Sequence, residues 1–206
     1  MEATRRPDYD ENKASLSNNG SLLIKVTPEY RPGHHCDRLP GHADGASFEA
    51  TAHYVRQQRG MAITWLEANN SVEGVFALGR ALHALQDCFA HSNLVDLDAG
   101  LQQALENSLL NDGPAVPSLQ ITGFDPNATN PMRPAHDPYP YDPFNKDSPT
   151  GSPECKLILP DGRTKFEAAR AMANATSGKF LASVLGNLTR TGRDTLMAAE
   201  VQPPPA

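Results

Sequence analysis

Three residues that can bind metals recur at intervals of four in His83-Ala-Leu-Gln-Asp87-Cys-Phe-Ala-His91. On a helix each such step turns ~400° and rises ~6 Å, so the three side chains lie along nearby faces. Two imidazoles and a carboxylate make a nitrogen and oxygen donor set suited to a divalent ion, zinc foremost. The Cα atoms of His83 and His91 are ~12 Å apart along such a helix, whereas an imidazole nitrogen must come within ~2.1 Å of zinc. One ion can scarcely hold both, so the spacing predicts two or more ions with Asp87 between them. Two metals ~3.5–4 Å apart would clamp the attacking and leaving oxygens of a phosphoryl displacement.

A lone histidine beside an apolar stripe is ordinarily a satisfied core residue. Three ligand types at i, i+4 and i+8 are harder to explain that way. A second concentration lies in Arg31-Pro-Gly-His-His-Cys-Asp-Arg38, followed by His42 and Asp44, and four of the seven histidines fall within residues 34 to 53. By itself this segment reads equally well as a polar turn before a helix. A fold can bring this segment, with His34, His35 and Asp37, over the His83 row. His53, inside a helical stretch, faces solvent or core in either case. Beyond His91 there is only His136, with Asp137, Asp142 and Asp147 as further oxygen donors. Cys36, Cys88 and Cys155 are odd in number and have no CxxC spacing, which argues against a disulfide framework or a thiolate zinc knuckle.

The elements that must position these residues are helical. Asn70-Ser-Val-Glu73 resembles a reciprocal helix cap, and behind it Val75, Leu78, Leu82, Leu85 and Phe89 step by three and four along one buried stripe. His83 and Asp87 fall at the stripe's edge, where an unpaired carboxylate would be costly. An earlier helix is expected over Ser47 to Ala68, with Phe48, Val55, Met61 and Trp65 on its apolar side, and a short one over Leu101 to Leu110. Thr164-Lys-Phe-Glu167 resembles a second capping box, opening a helix through Phe166, Ala169, Ala173, Phe180, Val184 and Leu188 to about Arg190. Between them, residues 113–160 carry 11 of the 18 prolines, a long loop suited to covering a site. The chain thus divides into a loose N-terminal arm (1–33) with one short strand at Leu22 to Val26, an all-α domain (34–190), and a disordered tail (191–206).

The block Ala77-Leu-Gly-Arg-Ala-Leu-His-Ala-Leu-Gln-Asp-Cys-Phe-Ala-His-Ser-Asn93 resembles the hallmark helix of the Het-C proteins and their bacterial relatives. These are similar in turn to zinc-dependent phospholipases C and the zinc nucleases of that superfamily. His34-His-Cys-Asp-Arg38 resembles the upstream HxFD-type segment of those families, and Ser47 to Ile63 the helix that follows it. The likeness covers about residues 34 to 185 and is sharp only from 34 to 93. It implies a phospholipase C-like helical bundle in which His83 and Asp87 bind and bridge zinc, His35 is the upstream ligand and His91 the next helix-borne one. Three residues separate Asp87 from His91, as in Het-C, where the phospholipases use five. The N-terminal Trp and early His of the phospholipases have no counterpart here, since the first histidine is His34 and the only tryptophan is Trp65.

The resemblance implies phosphodiester hydrolysis, phospholipid headgroups being the foremost substrates, with peripheral membrane contact. Two other readings stand beside it, a Het-C-type cell-death effector with a structural metal, and a zinc nuclease. With 18 Lys+Arg against 24 Asp+Glu, the net charge of -6 offers no basic surface for a nucleic-acid backbone. No signal-peptide core and no run of ~18 apolar residues occurs, which leaves the cytoplasm or a signal-independent secretion route as the expected locations.

Overall fold

The computed structural model describes residues 32–38, 42–113, 119–122, 146, 149 and 153–199. Among them are five α-helices: α1 (Asp44–Glu67), α2 (Ser71–Ala90), α3 (Ala99–Leu110), α4 (Lys165–Asn187) and α5 (Arg190–Met197). Short 3-10 turns at Pro32–His34, Leu94–Asp96 and Glu154–Lys156 lie between them. The described residues include isolated β-bridges, among them Ser92 with Ile121 and Ile158 with Thr164. The expected all-α class holds. The N-terminal arm with Leu22 to Val26, and most of the Pro-rich stretch, lie outside the described residues.

The helix starts follow the capping chemistry of the sequence. Asn70 Oδ1 accepts from the Glu73 amide at 3.2 Å, and Asp98 Oδ1 from the Leu101 amide at 2.9 Å. At Thr164 the box is complete: its hydroxyl oxygen accepts from the Glu167 amide, while the Glu167 carboxylate accepts from the Thr164 amide at 2.8 Å. The C-terminal carbonyls of α3 are taken up by α1 instead. Arg56 and Arg59 each donate an Nη1–H to one, on Ser108 and Leu110, both at 2.6 Å. Cations at a helix C-terminus also favour the negative end of its dipole.

Helix α2 is the centre of the bundle, with α1 on one side and α4 on another. Leu78, Leu85 and Phe89 are buried as the stripe predicts, whereas Val75 and Leu82 are only half-buried. A second buried face, Gly74, Ala77, Ala81, Ala84 and Cys88, consists of small residues. Small side chains there let α1 approach closely. A Cβ placed on Gly74 would come within 2.7 Å of the fully buried Leu66 of α1. The core side of α1 is Phe48, Ala52, Val55, Ala62 and Leu66. Met61 and Trp65, placed on that side by the sequence reading, stand 38% and 37% exposed. Each lies one residue, or ~100° of helix, from the position that faces α2.

The domain also runs past its expected end at residue 190. Residues 190–197 form α5 where a disordered tail was expected to begin. Eight residues with little apolar content depend on caps. Thr189 Oγ1 accepts from the Gly192 amide, and Glu67, at the end of α1, accepts from the Thr189 amide and hydroxyl at 2.6 and 2.5 Å. These bonds hold the Glu67 carboxyl pKa below its usual range. Residues 200–206 lie outside the described residues.

Replacing Gly74 by Ala should destabilise the fold by about 1–3 kcal/mol, the usual cost of overpacking a core in which Leu66 has nowhere to move. Thermal unfolding followed by circular dichroism would show it, and an unchanged midpoint would refute the close contact of α1 with α2.

Candidate metal centre

His83 and Asp87 project from successive turns of α2, and the segment before α1 brings His35 against them. His83 Nε2 lies 3.0 Å from His35 Nδ1 and 3.1 Å from Asp87 Oδ2, and His35 Nδ1 is 3.3 Å from the same oxygen. Three ligand atoms therefore form a closed triangle. A proton on one nitrogen can point along only one edge of it, leaving lone pairs to face each other elsewhere. A cation set just off the triangle satisfies all three at once. In a tetrahedral zinc site with bonds of ~2.0–2.1 Å, donor atoms are separated by ~3.3–3.4 Å, close to the distances seen. Among the described residues this cluster of His35, His83 and Asp87 is the group able to hold a metal ion.

The side-chain exposures are 12% for His83 and 13% for Asp87. His35 is covered, at 5%. The triad is thus sealed on the His35 side and open at the α2 carboxylate. Asp87 also forms one wall of a cavity of about 190 Å³ between α2 and α4, whose lining includes Lys146 and Arg170.

The other predicted ligands are placed elsewhere. His91 is the residue at which α2 ends, with φ -105° and ψ 19°, and its ring turns back toward the 32–38 segment. Its Nδ1–H donates to the His35 carbonyl oxygen at 2.9 Å, which fixes the tautomer because a carbonyl can only accept. The same nitrogen is 3.2 Å from Asp37 Oδ1. Asp37 has no side-chain exposure. His34 stacks on Tyr54, ring centroids 3.7 Å apart and nearly parallel. His53 is exposed on α1. His136, with Asp137, Asp142 and Asp147, lies outside the described residues.

Backbone bonds hold the segment in place. Residues 119–122 run between it and the end of α2: the Thr122 amide donates to the His91 carbonyl at 2.6 Å, and the Arg38 amide to the Thr122 carbonyl at 2.8 Å. Asn93 joins in, its Oδ1 accepting from the Gln120 amide and its own amide donating to the Gln120 carbonyl. Ser92 closes the helix, its hydroxyl donating to the Cys88 carbonyl at 2.5 Å. The His-Ser-Asn run after Asp87 is therefore a junction of loops. Between the ligands, Cys36 adopts φ 54°, in the left-handed region a side chain rarely enters, and is wholly buried, as is Cys88. Burial pushes the Cys88 thiol pKa well up, with Cys36, Asp87 and Asp37 adding to the effect, which leaves it a poor metal ligand or nucleophile.

The sequence reading did not single out Lys146. It is 3% exposed, and its Nζ donates to the Ser92 carbonyl at 2.5 Å. Burial lowers its pKa from the ordinary 10.5 to about 8, while Asp96 and Glu154 pull it back up. A lysine within a Pro-rich stretch carries no sequence signal that it will be buried. Only the fold reveals it.

Comparison with known proteins finds no matching family model, no matching curated protein and no matching solved structure. The fold and site define an all-α protein with a His-His-Asp cluster able to hold a metal ion.

Two outcomes follow. Replacing His91 by Ala should weaken metal binding about 10–100-fold without removing a triad ligand, since groups that orient ligands typically matter by that much. Competition with a metallochromic chelator measures it, and an unchanged affinity would contradict the positioning role. For Lys146, the unfolded chain keeps between about pH 8 and 10.5 a proton that the folded chain has shed, so stability rises with pH across that window. Relative to Lys146→Met, the wild type should gain up to roughly 3 kcal/mol there, at ~1.4 kcal/mol per unit of pKa. Urea unfolding at stepped pH tests this, and parallel curves for the two proteins would rule it out.

Proposed function

We propose that this chain is a zinc-dependent phosphodiester hydrolase of phospholipase C type, acting on phospholipid headgroups at a membrane surface. The observation that carries the reading is the triad of His35, His83 and Asp87, three mutually adjacent donors with an open side. Structural zinc sites close all four positions with protein ligands, whereas catalytic ones supply three and leave the fourth to water or substrate. Zinc bound there supplies Lewis acidity toward a phosphoryl oxygen and brings the pKa of water toward ~7. His35 and His83 present the ring nitrogens, Asp87 completes the set, and the pair of His91 and Asp37 fixes the backbone that carries His35. The resemblance of residues 34–38 and 77–93 to the Het-C and phospholipase C motifs supports the same chemistry. In its polynuclear form, the stronger reading of the helix spacing, His91 and Asp37 would exchange their present contacts for a second ion.

One observation favours a second reading. The triad joins a short segment near the N-terminus to α2, so an ion there would also staple the fold, as in a non-catalytic Het-C-type effector.

Purified protein should retain zinc, release phosphorylated headgroup from phospholipid micelles in a chelator-sensitive way, and act far less on single-stranded nucleic acid. His83→Ala and Asp87→Asn should each lower metal content and cut hydrolysis at least ~100-fold, the scale of a lost catalytic contact. Full metal content without hydrolysis of either substrate would overturn the enzyme reading in favour of the staple. Hydrolysis of nucleic acid alone would make the protein a nuclease.

A further inference from the structure

The cavity beside Asp87 has a composition that selects for charge. Phe89, Ala169 and Ala173 form an apolar part of its wall, and its polar lining includes Lys146, Arg170 and Asn174. Asp87 is its one carboxylate, and the Oδ2 atom of that group is turned to His35 and His83. Arg170 and Asn174 are exposed on consecutive turns of α4, and among the described residues neither side chain makes a hydrogen bond or ion pair. A guanidinium fork and a carboxamide on one helix face match the oxygens of a phosphate group, and Lys146, whose Nζ is bonded to the Ser92 carbonyl, adds positive charge to the lining. At ~30 Å³ per water, about 190 Å³ is several water volumes, enough for a phosphate and a short attached group.

A quaternary ammonium group meets the opposite conditions. It needs a cage of aromatic faces or a spare carboxylate, and the cavity has Phe89 as its one aromatic residue and two cations.

We infer that the cleft between α2 and α4 is an anion subsite, in which Arg170 and Asn174 hold a second phosphate or other oxyanion of the substrate while its scissile group lies at the triad. The substrates are then anionic phosphodiesters, and choline-type headgroups are disfavoured. That these anions are substrates rests on the hydrolase reading. The binding itself does not.

Inorganic phosphate titrated into the full-length protein by calorimetry, zinc-loaded and after chelation, tests the binding. Arg170→Gln should weaken it at least tenfold in both states, and Arg170→Lys should do so less. Arg170 is exposed, so neither variant should disturb folding. Equal phosphate affinity of the wild type and Arg170→Gln in either state would overturn the subsite, whether or not the protein hydrolyses lipid. Hydrolysis of phosphatidylglycerol and phosphatidylcholine in mixed micelles tests the selectivity. The wild type should favour the anionic lipid and Arg170→Gln should lose that preference about tenfold, whereas a wild type that prefers phosphatidylcholine would overturn the inference. Arg170-dependent phosphate binding with no hydrolysis of any lipid would sink the hydrolase reading and leave the subsite standing.

Discussion

The site depends on one contact, the hydrogen bond from the His91 ring to the His35 carbonyl. His35 is the triad member that does not belong to α2, and a side chain on a short irregular segment is only as well placed as its backbone. Asp37 is buried beside the same ring nitrogen, and the strand-like piece 119–122 ties His91 and Arg38 to a common backbone. Left-handed Cys36 sits in the middle of this assembly. Such a conformation costs of order 1–3 kcal/mol and persists only where the surroundings over-determine it. Here they do, through bonds on either side and a cysteine side chain wholly buried in the core. The strain turns the chain so that His35 and Asp37 serve opposite ends of one arrangement.

Helix α2 supplies the rigid half. Its narrow residues admit α1 closely and its larger ones pack in the core, so the edge bearing His83 and Asp87 has little freedom to move. That part was legible from the sequence, because a 3.6-residue period and an Asn cap are local properties: Leu78, Leu85 and Phe89 are buried and Asn70 caps the first turn. The Thr164 capping box was legible for the same reason. The short α5 was not, since its N-terminal partner Glu67 lies over 120 residues away in the chain, and eight residues of which only Leu196 and Met197 are large and apolar are too few to read a period from.

His91 shows where helical extrapolation stops. Its i+8 place in the row suggested a ligand of a second ion, an argument that assumes the helix continues through it. The chain leaves helical geometry at that residue, and the ring swings to a carbonyl that no local pattern could have named. Of the segment 31–38, the sequence indicated that metal-binding side chains cluster there. It did not indicate which would face α2, because adjacent His34 and His35 diverge, one onto Tyr54 and the other into the triad. Pairings across 48 residues arise from how the loop is folded, and the composition of the loop does not determine that.

Charge sets the remaining constraint. The chain carries a formal -6, so at long range it repels an anionic substrate, but exposed charges are screened beyond ~8–10 Å at physiological ionic strength. What an approaching phosphate feels is therefore the local composition. A dication at the triad against the single charge of Asp87 leaves that point positive, and Lys146 and Arg170 extend the positive region along the adjoining cavity. A cleft with apolar walls focuses such a field, since little water intervenes between the charges and their target. Attraction confined to the cleft acts on a group that enters it, and gives no comparable gain to phosphates that stay outside. On the proposed hydrolase reading, an anionic ester that can place one phosphate group in the cleft gains this local attraction despite the negative net charge, because the distant acidic groups are screened while those of the cleft are not.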